Sequence, residues 1–234
     1  MEIQPIAHFH SPLTSKFGIP RQSGLATQLA GTIVFVPEYR QADAVRGLED
    51  FDYLWLIWEF SENSNAKKSL TVRPPRLGGN RRMGVFATRS PFRPNNLGLS
   101  CVRLDHVESS SQLGPVIHVL GADLMDGTPL FDIKPYLPYA DCHPEATGGF
   151  TDTRSWPRLE VRLAESVRRQ LTKQEAATLA DILALDPRPH YQKDPNRLYG
   201  MPYGKWDVKF RVANGEVQVV GISTTNEKKG KKLS

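Results

Sequence analysis

Short β-rich segments separated by turn signals fill the first 140 residues and leave little room for helices. Strand-like runs occur at 31–36 (GTIVFV), 83–88 (MGVFAT), 99–107 (LSCVRLDHV) and 115–120 (PVIHVL). Turn residues interrupt this part of the chain about every ten positions, as in all-β proteins built from short strands. The pattern therefore predicts an all-β barrel or sandwich in this half of the molecule.

The aromatic run 51–60 (FDYLWLIWEF) is the longest apolar stretch of the chain. It has about half of the ~20 residues that a membrane-spanning helix needs, and it contains Asp52 and Glu59. Its length and its aromatic content predict a central strand that is buried on both faces.

The start of the sequence and the number of its cysteines predict a cytoplasmic protein. The first residues, MEIQPIAHFHSP, show neither the basic region nor the apolar region of a secretory signal. The two cysteines, Cys101 and Cys142, are too few and too far apart to predict a disulfide scaffold.

The pattern changes after the loop at 143–156, where helical signals join the strands. Thr172 and Glu175 have capping-box spacing at the start of an amphipathic helix, and Asn214-Gly215 is typical of a two-residue hairpin turn. These signals predict a small α+β domain behind the β domain. The predicted divisions are a β domain over 1–145, an α+β domain over 155–223 and a disordered basic tail over 224–234.

Residues 71–100 carry the charge pattern that says most about function. They contain six arginines but no lysine and no carboxylate, although the whole chain has a formal net charge of only +5. A guanidinium group binds phosphate in a bidentate manner, and the glycines between the arginines allow close backbone approach. The stretch predicts recognition of a nucleic acid or another phosphate-bearing partner and does not suit a membrane. The structural alternative is a solvated basic face, because arginine stems often only cover apolar surface.

Widespread nucleotide-binding and metal-binding motifs are absent from the sequence. Gly79 and Gly84 have Walker-A spacing, but Val85-Phe86 follows where that motif has Lys-Ser/Thr. No G-x-G-x-x-G follows a predicted strand, so a Rossmann site is not expected. The six histidines are scattered. His8-x-His10 could bind a metal, but no further cysteine or histidine lies nearby at zinc spacing, and we predict no metal site. His106 and His118 lie within strand patterns and are expected to be ordinary sheet residues.

Two carboxylate clusters remain open on spacing alone. Asp123 and Asp126, with the turn Gly127-Thr128, could hold a ribose or a cationic group, or they could serve only turn chemistry. Asp132 and Lys134 could be functional, or they could form an ordinary surface ion pair. Spacing by itself favours the structural interpretation of both clusters.

Five long and unusual segments follow one another along the chain. They are SPLTSKFGIPRQSG (11–24), GLEDFDYLWLIWEF (47–60), RPPRLGGNRRMGVFATRSPFRPNNLGLS (73–100), DLMDGTPLFDIKPYLPY (123–139) and DPRPHY (186–191). In this order they resemble the motifs of the TrmO family of S-adenosylmethionine-dependent tRNA methyltransferases, and the resemblance covers nearly the whole chain.

The resemblance implies a fold and a reaction. The fold is a compact, non-Rossmann β-barrel with a small C-terminal domain, generally assembled as a homodimer. The reaction is methyl transfer from S-adenosylmethionine to N6 of threonylcarbamoyladenosine, beside the anticodon (position 37) of a threonine tRNA. Neither a metal nor a membrane takes part in the implied activity.

The resemblance also implies a set of cofactor contacts, carried over from matching motifs. They are Pro20, Arg21, Gln22, Ser61, Glu62, Arg89, Leu99, Met125, Asp126, Gly127 and Thr128. Two positions depart from the family pattern. Ser61-Glu62 stands where relatives have His-Gln, which suggests main-chain contacts there, and Asn96 stands where relatives have proline, which could loosen the loop.

Methyl transfer to N6 is the difficult part of the implied reaction, because the N6 lone pair is delocalised into the purine and the carbamoyl group. A hydrogen-bond acceptor on N6–H would concentrate that lone pair or take the proton. Our hypothesis assigns this role to Asp132, contact with the base to Tyr136 and contact with the threonine carboxylate to Lys134. The residues expected to bind the anticodon loop are Arg73, Arg76, Asn80, Arg81, Arg82 and Arg93.

Two other functions stay open at this point. A non-catalytic RNA-binding barrel would use the arginines to hold RNA and the Asp-Gly turns only for structure. A methyltransferase with a different acceptor would share the cofactor but modify another nucleoside.

Overall fold

The computed structural model describes residues 2–63, 69–79, 81–152, 157–189, 192 and 194–225. Its strands are β1 (Ala7–His10), β2 (Ala30–Phe35), β3 (Tyr53–Glu59), β4 (Thr71–Val72), β5 (Met83–Gly84), β6 (Leu97–Ser110), β7 (Gly114–Leu120), β8 (Thr128–Pro135), β9 (Glu160–Leu163), β10 (Tyr199–Tyr203), β11 (Trp206–Ala213) and β12 (Glu216–Thr224). Its α-helices are α1 (Pro138–Asp141), α2 (Glu165–Arg168) and α3 (Lys173–Leu183). Single 3-10 turns lie at Pro37–Tyr39, Ala42–Val45, Leu48–Asp50, Ser61–Asn63, Pro75–Leu77, Val85–Ala87 and Gly149–Thr151.

Six strands form a closed barrel in the order β1-β2-β7-β6-β3-β8, and β8 pairs with β1 to complete the ring. The mainly β fold class and the barrel are thus confirmed, and the sandwich alternative is excluded. Closure removes the unpaired strand edges that an open sheet would expose to other chains.

The aromatic strand β3 is buried on one face only, so the prediction of burial on both faces was wrong. Leu54, Leu56 and Trp58 point into the barrel and are buried, whereas Tyr53 is exposed and Trp55 is half-buried. The run has the strict period of two that a barrel wall requires, but aromatic residues occupy its outer positions as well. The high hydrophobicity of this strand therefore does not mean that its outer face is buried.

A β-bulge in β8 sets which of its side chains face outward. Leu130 pairs with Trp58 of β3, and Asp132 pairs with Ile57, the residue before Trp58. Phe131 therefore has no partner on β3 and is the extra residue of the bulge. Without this insertion, the alternation of the strand would place Asp132 opposite Leu56, whose side chain is buried in the barrel. The bulge therefore puts the carboxylate on the outer wall.

The chain divides into two compact units that are interleaved along the sequence. The first comprises residues 1–9, 33–118 and 128–156, and the second comprises residues 10–32, 119–127 and 157–234. The linear boundaries expected from the sequence, 1–145 and 155–223, stay a prediction. Part of the proposed tail, 226–234, lies outside the described residues.

The second unit has its own apolar core. Strands β10, β11, β12 and β9 form one sheet in that order, with β9 parallel to β12. Leu179 and Ile182 of α3 pack with Val208 and Phe210 of β11 in this core, and Leu29 from the N-terminal part of the unit joins them.

Two local signals in the second unit are confirmed at atomic level. The Thr172 hydroxyl accepts a hydrogen bond from the Glu175 amide at 3.1 Å, and the Glu175 carboxylate accepts one from the Thr172 amide at 2.8 Å. The bond from the Thr172 amide to the carboxylate is the main reason that the pKa of Glu175 lies below its ordinary value. Asn214 and Gly215 both have positive φ, 52° and 78°, as a type I′ turn requires. Among the described helices, none combines the length and the apolarity needed to cross a membrane.

Gly98 makes room for the largest side chain inside the barrel. It lies directly opposite Trp58, whose indole N–H donates a hydrogen bond to the Ser100 hydroxyl at 3.0 Å. A Cβ built on Gly98 would overlap the indole ring, whereas a Cβ on Gly84 would meet no atom within 4 Å.

We expect Gly98→Ala to lower the free energy of unfolding by about 1–3 kcal/mol, the usual cost of overpacking a core. Gly84→Ala is the matched control and should change it by less than about 0.5 kcal/mol. Urea denaturation followed by tryptophan fluorescence measures both. Equal midpoints for the two variants would show that the indole does not require the missing Cβ.

Candidate active site

The outer wall formed by β6, β3 and β8 brings predicted catalytic and cofactor residues into one surface. Ile57 of β3 pairs with Leu99 on one side and with Asp132 on the other. One row further, Trp55 pairs with Cys101 and with Lys134. Residues that face each other across paired strands project from the same side of the sheet. Leu99 and Asp132 therefore stand two strand spacings apart, about 10 Å, on a common face.

Asp132 is held in place by bonds from its own strand. Its Oδ1 accepts a hydrogen bond from the Ile133 amide at 2.9 Å, and its Oδ2 lies 2.9 Å from the Lys134 ammonium group. The two side chains remain 43% and 62% exposed, so the ion pair contributes only about 0–1 kcal/mol to stability. The carboxylate is thus oriented but not buried, and a ligand can displace the lysine at little cost.

An aromatic cluster stands beside this ion pair. The Tyr136 amide extends the pairing of β8 with β3 by donating to the Tyr53 carbonyl at 2.9 Å. The Tyr136 ring lies 6.1 Å from the ring of Tyr53 and 6.0 Å from that of Trp55, centroid to centroid. Such a cluster offers aromatic surface on which a purine can stack.

Asp141 fixes the indole of the cluster. Its Oδ2 accepts hydrogen bonds from the Leu137 amide and from the Trp55 indole N–H, each at 2.9 Å. These two bonds, the backbone bond first, lower the pKa of Asp141, so the carboxylate stays charged and keeps the ring oriented.

Burial and neighbouring thiols keep the Tyr136 hydroxyl protonated. Desolvation raises its pKa first, and the nearby Cys142 thiol raises it further. Desolvation, followed by the charge of Asp141, also raises the pKa of Cys101. At neutral pH the wall therefore offers the Tyr136 phenol and the Cys101 thiol in their neutral forms.

The loops at the start of β6 and the end of β3 are tied together. The Phe60 amide donates to the Asn96 carbonyl at 2.8 Å, just before the short helix Ser61–Asn63 that contains two predicted cofactor residues. Asn96 is buried and has φ 53°, a value that proline cannot adopt. Asn96, where proline was expected from the family pattern, thus forms a left-handed turn that is hydrogen-bonded to the end of β3.

The arginine stretch begins as a small two-stranded ribbon. β4 pairs with β5, and the buried Val85 anchors the end of the ribbon through its amide, which donates to the Leu70 carbonyl at 2.9 Å. The ribbon presents Arg73, Arg81 and Arg82 as exposed residues, with the Arg82 guanidinium donating to the Thr71 hydroxyl at 3.3 Å. Six cations without an acidic residue in this segment create a positive surface for an anionic partner.

Other residues of the stretch have distinct environments. Arg93 donates to two carbonyls of its own loop, Thr88 at 3.1 Å and Ser90 at 3.4 Å, so it supports the loop whatever else it binds. Arg89 is exposed in the same loop. Arg76 lies in the turn Pro75–Leu77, and Asn80 lies outside the described residues.

The remaining predicted cofactor residues belong to the second unit, except Thr128, which is buried at the start of β8. Asp126 Oδ1 accepts from the Ser11 amide and lies near His10 Nδ1, both at 3.2 Å. Gly127 has φ 79°, as its turn requires, and Met125 precedes this turn. Pro20 is buried, Arg21 donates to the Asp186 carbonyl at 3.3 Å, and the Gln22 amide donates to the Arg21 carbonyl.

Four aromatic residues of the site were missed by the sequence analysis. Tyr53 and Trp55 were assigned to the core, although their alternation with Leu54 and Leu56 could have placed them on the other face. Phe86 and Phe92, 75% and 44% exposed, lie among the arginines. Exposed aromatic rings between arginines are typical of surfaces that bind single-stranded nucleic acid.

Two family models match the sequence and together account for most of it. The tRNA-methyltransferase O N-terminal domain matches residues 8–142, and the TrmO C-terminal domain matches residues 156–225.

Individual relatives match along nearly their whole length. The tRNA (adenine(37)-N6)-methyltransferase of Escherichia coli K12 is 40% identical over 94% of this chain and 97% of its own. A putative S-adenosylmethionine-dependent methyltransferase of Pseudomonas aeruginosa is 42% identical over 88% of this chain and 89% of its own. A crystal structure of TrmO from Pseudomonas aeruginosa superposes with a TM-score of 0.77 at 33% identity, covering 95% of this chain and 98% of that chain.

Proposed function

The chain belongs to the tRNA-methyltransferase O family, and from that premise we propose that it methylates N6 of the adenosine at position 37 of a tRNA, with S-adenosylmethionine as the donor. The proposal is carried by the match of both family domains, over 8–142 and 156–225. The tRNA (adenine(37)-N6)-methyltransferase of Escherichia coli K12 is also similar over nearly its full length. We further propose that the acceptor is threonylcarbamoyladenosine in a threonine tRNA.

The residues present fit S-adenosylmethionine in their chemistry. Leu99 is 55% exposed on an apolar wall suited to an adenine ring, and Arg89 offers a guanidinium for a carboxylate. Asp126 offers a carboxylate for an ammonium group or ribose hydroxyls. The cofactor supplies a methyl group already activated by its sulfonium, so the protein's task is mainly placement.

In the proposed reaction, Asp132 accepts the hydrogen bond or the proton of N6–H. The bulge holds it on the outer wall, and its exposure leaves room for a substrate to approach. The hydrogen bond to Asp132 would concentrate the lone pair on N6 for attack on the methyl carbon of the bound donor. N6–H becomes acidic as the new N–C bond forms, and its proton would then pass to the Asp132 carboxylate.

Lys134 and the aromatic cluster complete the proposed acceptor site. The lysine, only loosely paired with Asp132, can contact the carboxylate of the threonylcarbamoyl group and thereby leave Asp132 available. Tyr136, held against Tyr53 and Trp55, is positioned to stack on the purine or to donate its hydroxyl.

We propose that the enzyme works as a cytoplasmic homodimer. A large apolar side chain that a second copy could cover, Leu97 of β6, is 36% exposed on the outer wall. The mass in solution by light scattering tests the assembly, and a monomer at assay concentrations would contradict it.

Nucleoside mass spectrometry tests the function directly. In tRNA from cells that lack this gene, N6-methylated threonylcarbamoyladenosine should disappear and its unmethylated parent should accumulate. The purified protein should restore the methyl group to that tRNA in vitro when S-adenosylmethionine is added. Binding of tRNA without methyl transfer would support the non-catalytic RNA-binding barrel, and a mass gain on another nucleoside would support a different acceptor.

Asp132→Asn should lower kcat by about 100-fold or more, the usual range for loss of a general base, while leaving the Kd for S-adenosylmethionine unchanged. Lys134→Met is the matched variant, because it removes the partner of the same ion pair but keeps the carboxylate. We expect it to raise KM more than it lowers kcat, in steady-state assays with modified tRNA. Full turnover by Asp132→Asn would remove Asp132 from the mechanism.

Arg73→Ala and Arg81→Ala should each reduce the slope of log K for tRNA binding against log salt by about 0.7–0.9, the value of one phosphate contact. Filter binding between low and moderate salt measures the slope. Arg46→Ala is the control, because this exposed arginine is paired with Asp43 outside the stretch. A slope that falls equally in the control would mean that net charge matters and the ribbon does not.

A further inference from the structure

We propose that the β6–β7 hairpin carries a binding site for a divalent transition metal, formed by His106 and Glu108 of β6 and His118 of β7. One ligand atom from each of the three residues lies within 4.8 Å of the other two. The sequence predicted no metal site because these histidines are twelve residues apart without zinc spacing. Pairing of the two strands removes that separation.

The three side chains are already close to the distances that a metal imposes. Tetrahedral ligands about 2.0–2.1 Å from zinc stand roughly 3.3 Å from one another. His118 Nε2 and Glu108 Oε2 are 2.9 Å apart, and the two imidazole rings are stacked with centroids 4.1 Å apart at an interplanar angle of 8°. Because a metal–nitrogen bond lies in the plane of the imidazole ring, the two rings would turn out of their parallel stack for all three donors to meet at one ion.

Asp105 orients one of the proposed ligands. Its Oδ2 lies 2.9 Å from His106 Nδ1, so it can accept the proton of that nitrogen and leave Nε2 as the donor to a metal. Carboxylates commonly support metal-bound histidines in this way and increase their basicity.

Charge and ligand type decide the class of metal. With neutral imidazoles, Asp105 and Glu108 together contribute a charge of −2, which a divalent cation offsets. Two imidazoles and one carboxylate suit zinc, nickel, copper or cobalt rather than magnesium or calcium, which prefer oxygen ligands. Three protein ligands at a partly exposed site leave a further position to water.

The proposed metal site is separate from the part of the outer wall that carries Leu99 and Asp132. Leu99 and His106 both lie on β6, and seven residues of strand span up to about 23 Å. A metal here would therefore link the two strands of the hairpin and would not take part in methyl transfer.

Isothermal titration of the untagged, EDTA-treated full chain with ZnCl2 tests the proposal, with folding of each variant checked by circular dichroism. We expect one zinc ion per chain. Asp105→Asn should weaken binding by about 10- to 100-fold, and His118→Asn should weaken it more. Should His118→Asn fail to fold, the exposed Asp105 variant still decides the outcome.

His8→Asn is the control, because His8 and His10 are the two histidines that lie closest together in the sequence. Its zinc affinity should equal that of the unaltered protein. With Cu²⁺ as the probe, electron paramagnetic resonance should show coupling to two imidazole nitrogens, reduced to one in His118→Asn. Absence of zinc binding in the folded chain, or its loss in His8→Asn but not in His118→Asn, would overturn the proposal.

Discussion

The pairing of β8 with β1 on one side and with β3 on the other closes the barrel, and the register of β8 decides which of its side chains face the site. Because side chains alternate between the two faces of a strand, a slip of one residue would move every side chain in the second half of β8 to the opposite face. The extra residue Phe131 makes such a shift locally and places Asp132 outside. A carboxylate inside, opposite Leu56, would lack both water and a partner, which is costly for a charged group. Fold stability and the proposed chemistry thus require the same bulge.

The wall and the arginine ribbon meet different physical demands. On the wall, distances are set by paired strands, and Asp141 holds the indole of Trp55, so a purine and a methyl donor could be aligned with little reorganisation. The ribbon needs charge more than exact geometry, because phosphates are held by long, adaptable side chains. Arg93 differs from the exposed arginines of the ribbon, because its guanidinium donates to the Thr88 carbonyl and supports its own loop.

Local sequence signals predicted local structure well. The capping box at Thr172 and the Asn214-Gly215 turn depend on residues within a few positions, and both are present in the structure. The barrel followed from many short strands and from the family resemblance. The outer position of Trp55 did not, because hydrophobicity cannot distinguish a buried face from one that binds a ligand or another chain. Nor could the sequence place Leu29 in the core of the second unit, since that contact joins distant parts of the chain.

The hairpin β6–β7 shows why scattered residues escape a spacing search. Antiparallel pairing brings residues at increasing sequence separation side by side, so His106 and His118 stack although no linear motif relates them. The same strand carries Leu99 on the outer wall near its start and His106 of the proposed metal site near its end. A metal that links β6 to β7 would oppose fraying of the strand that also supports the wall. The ion could then influence methyl transfer only through the rigidity of β6, which separates a structural role from a catalytic one.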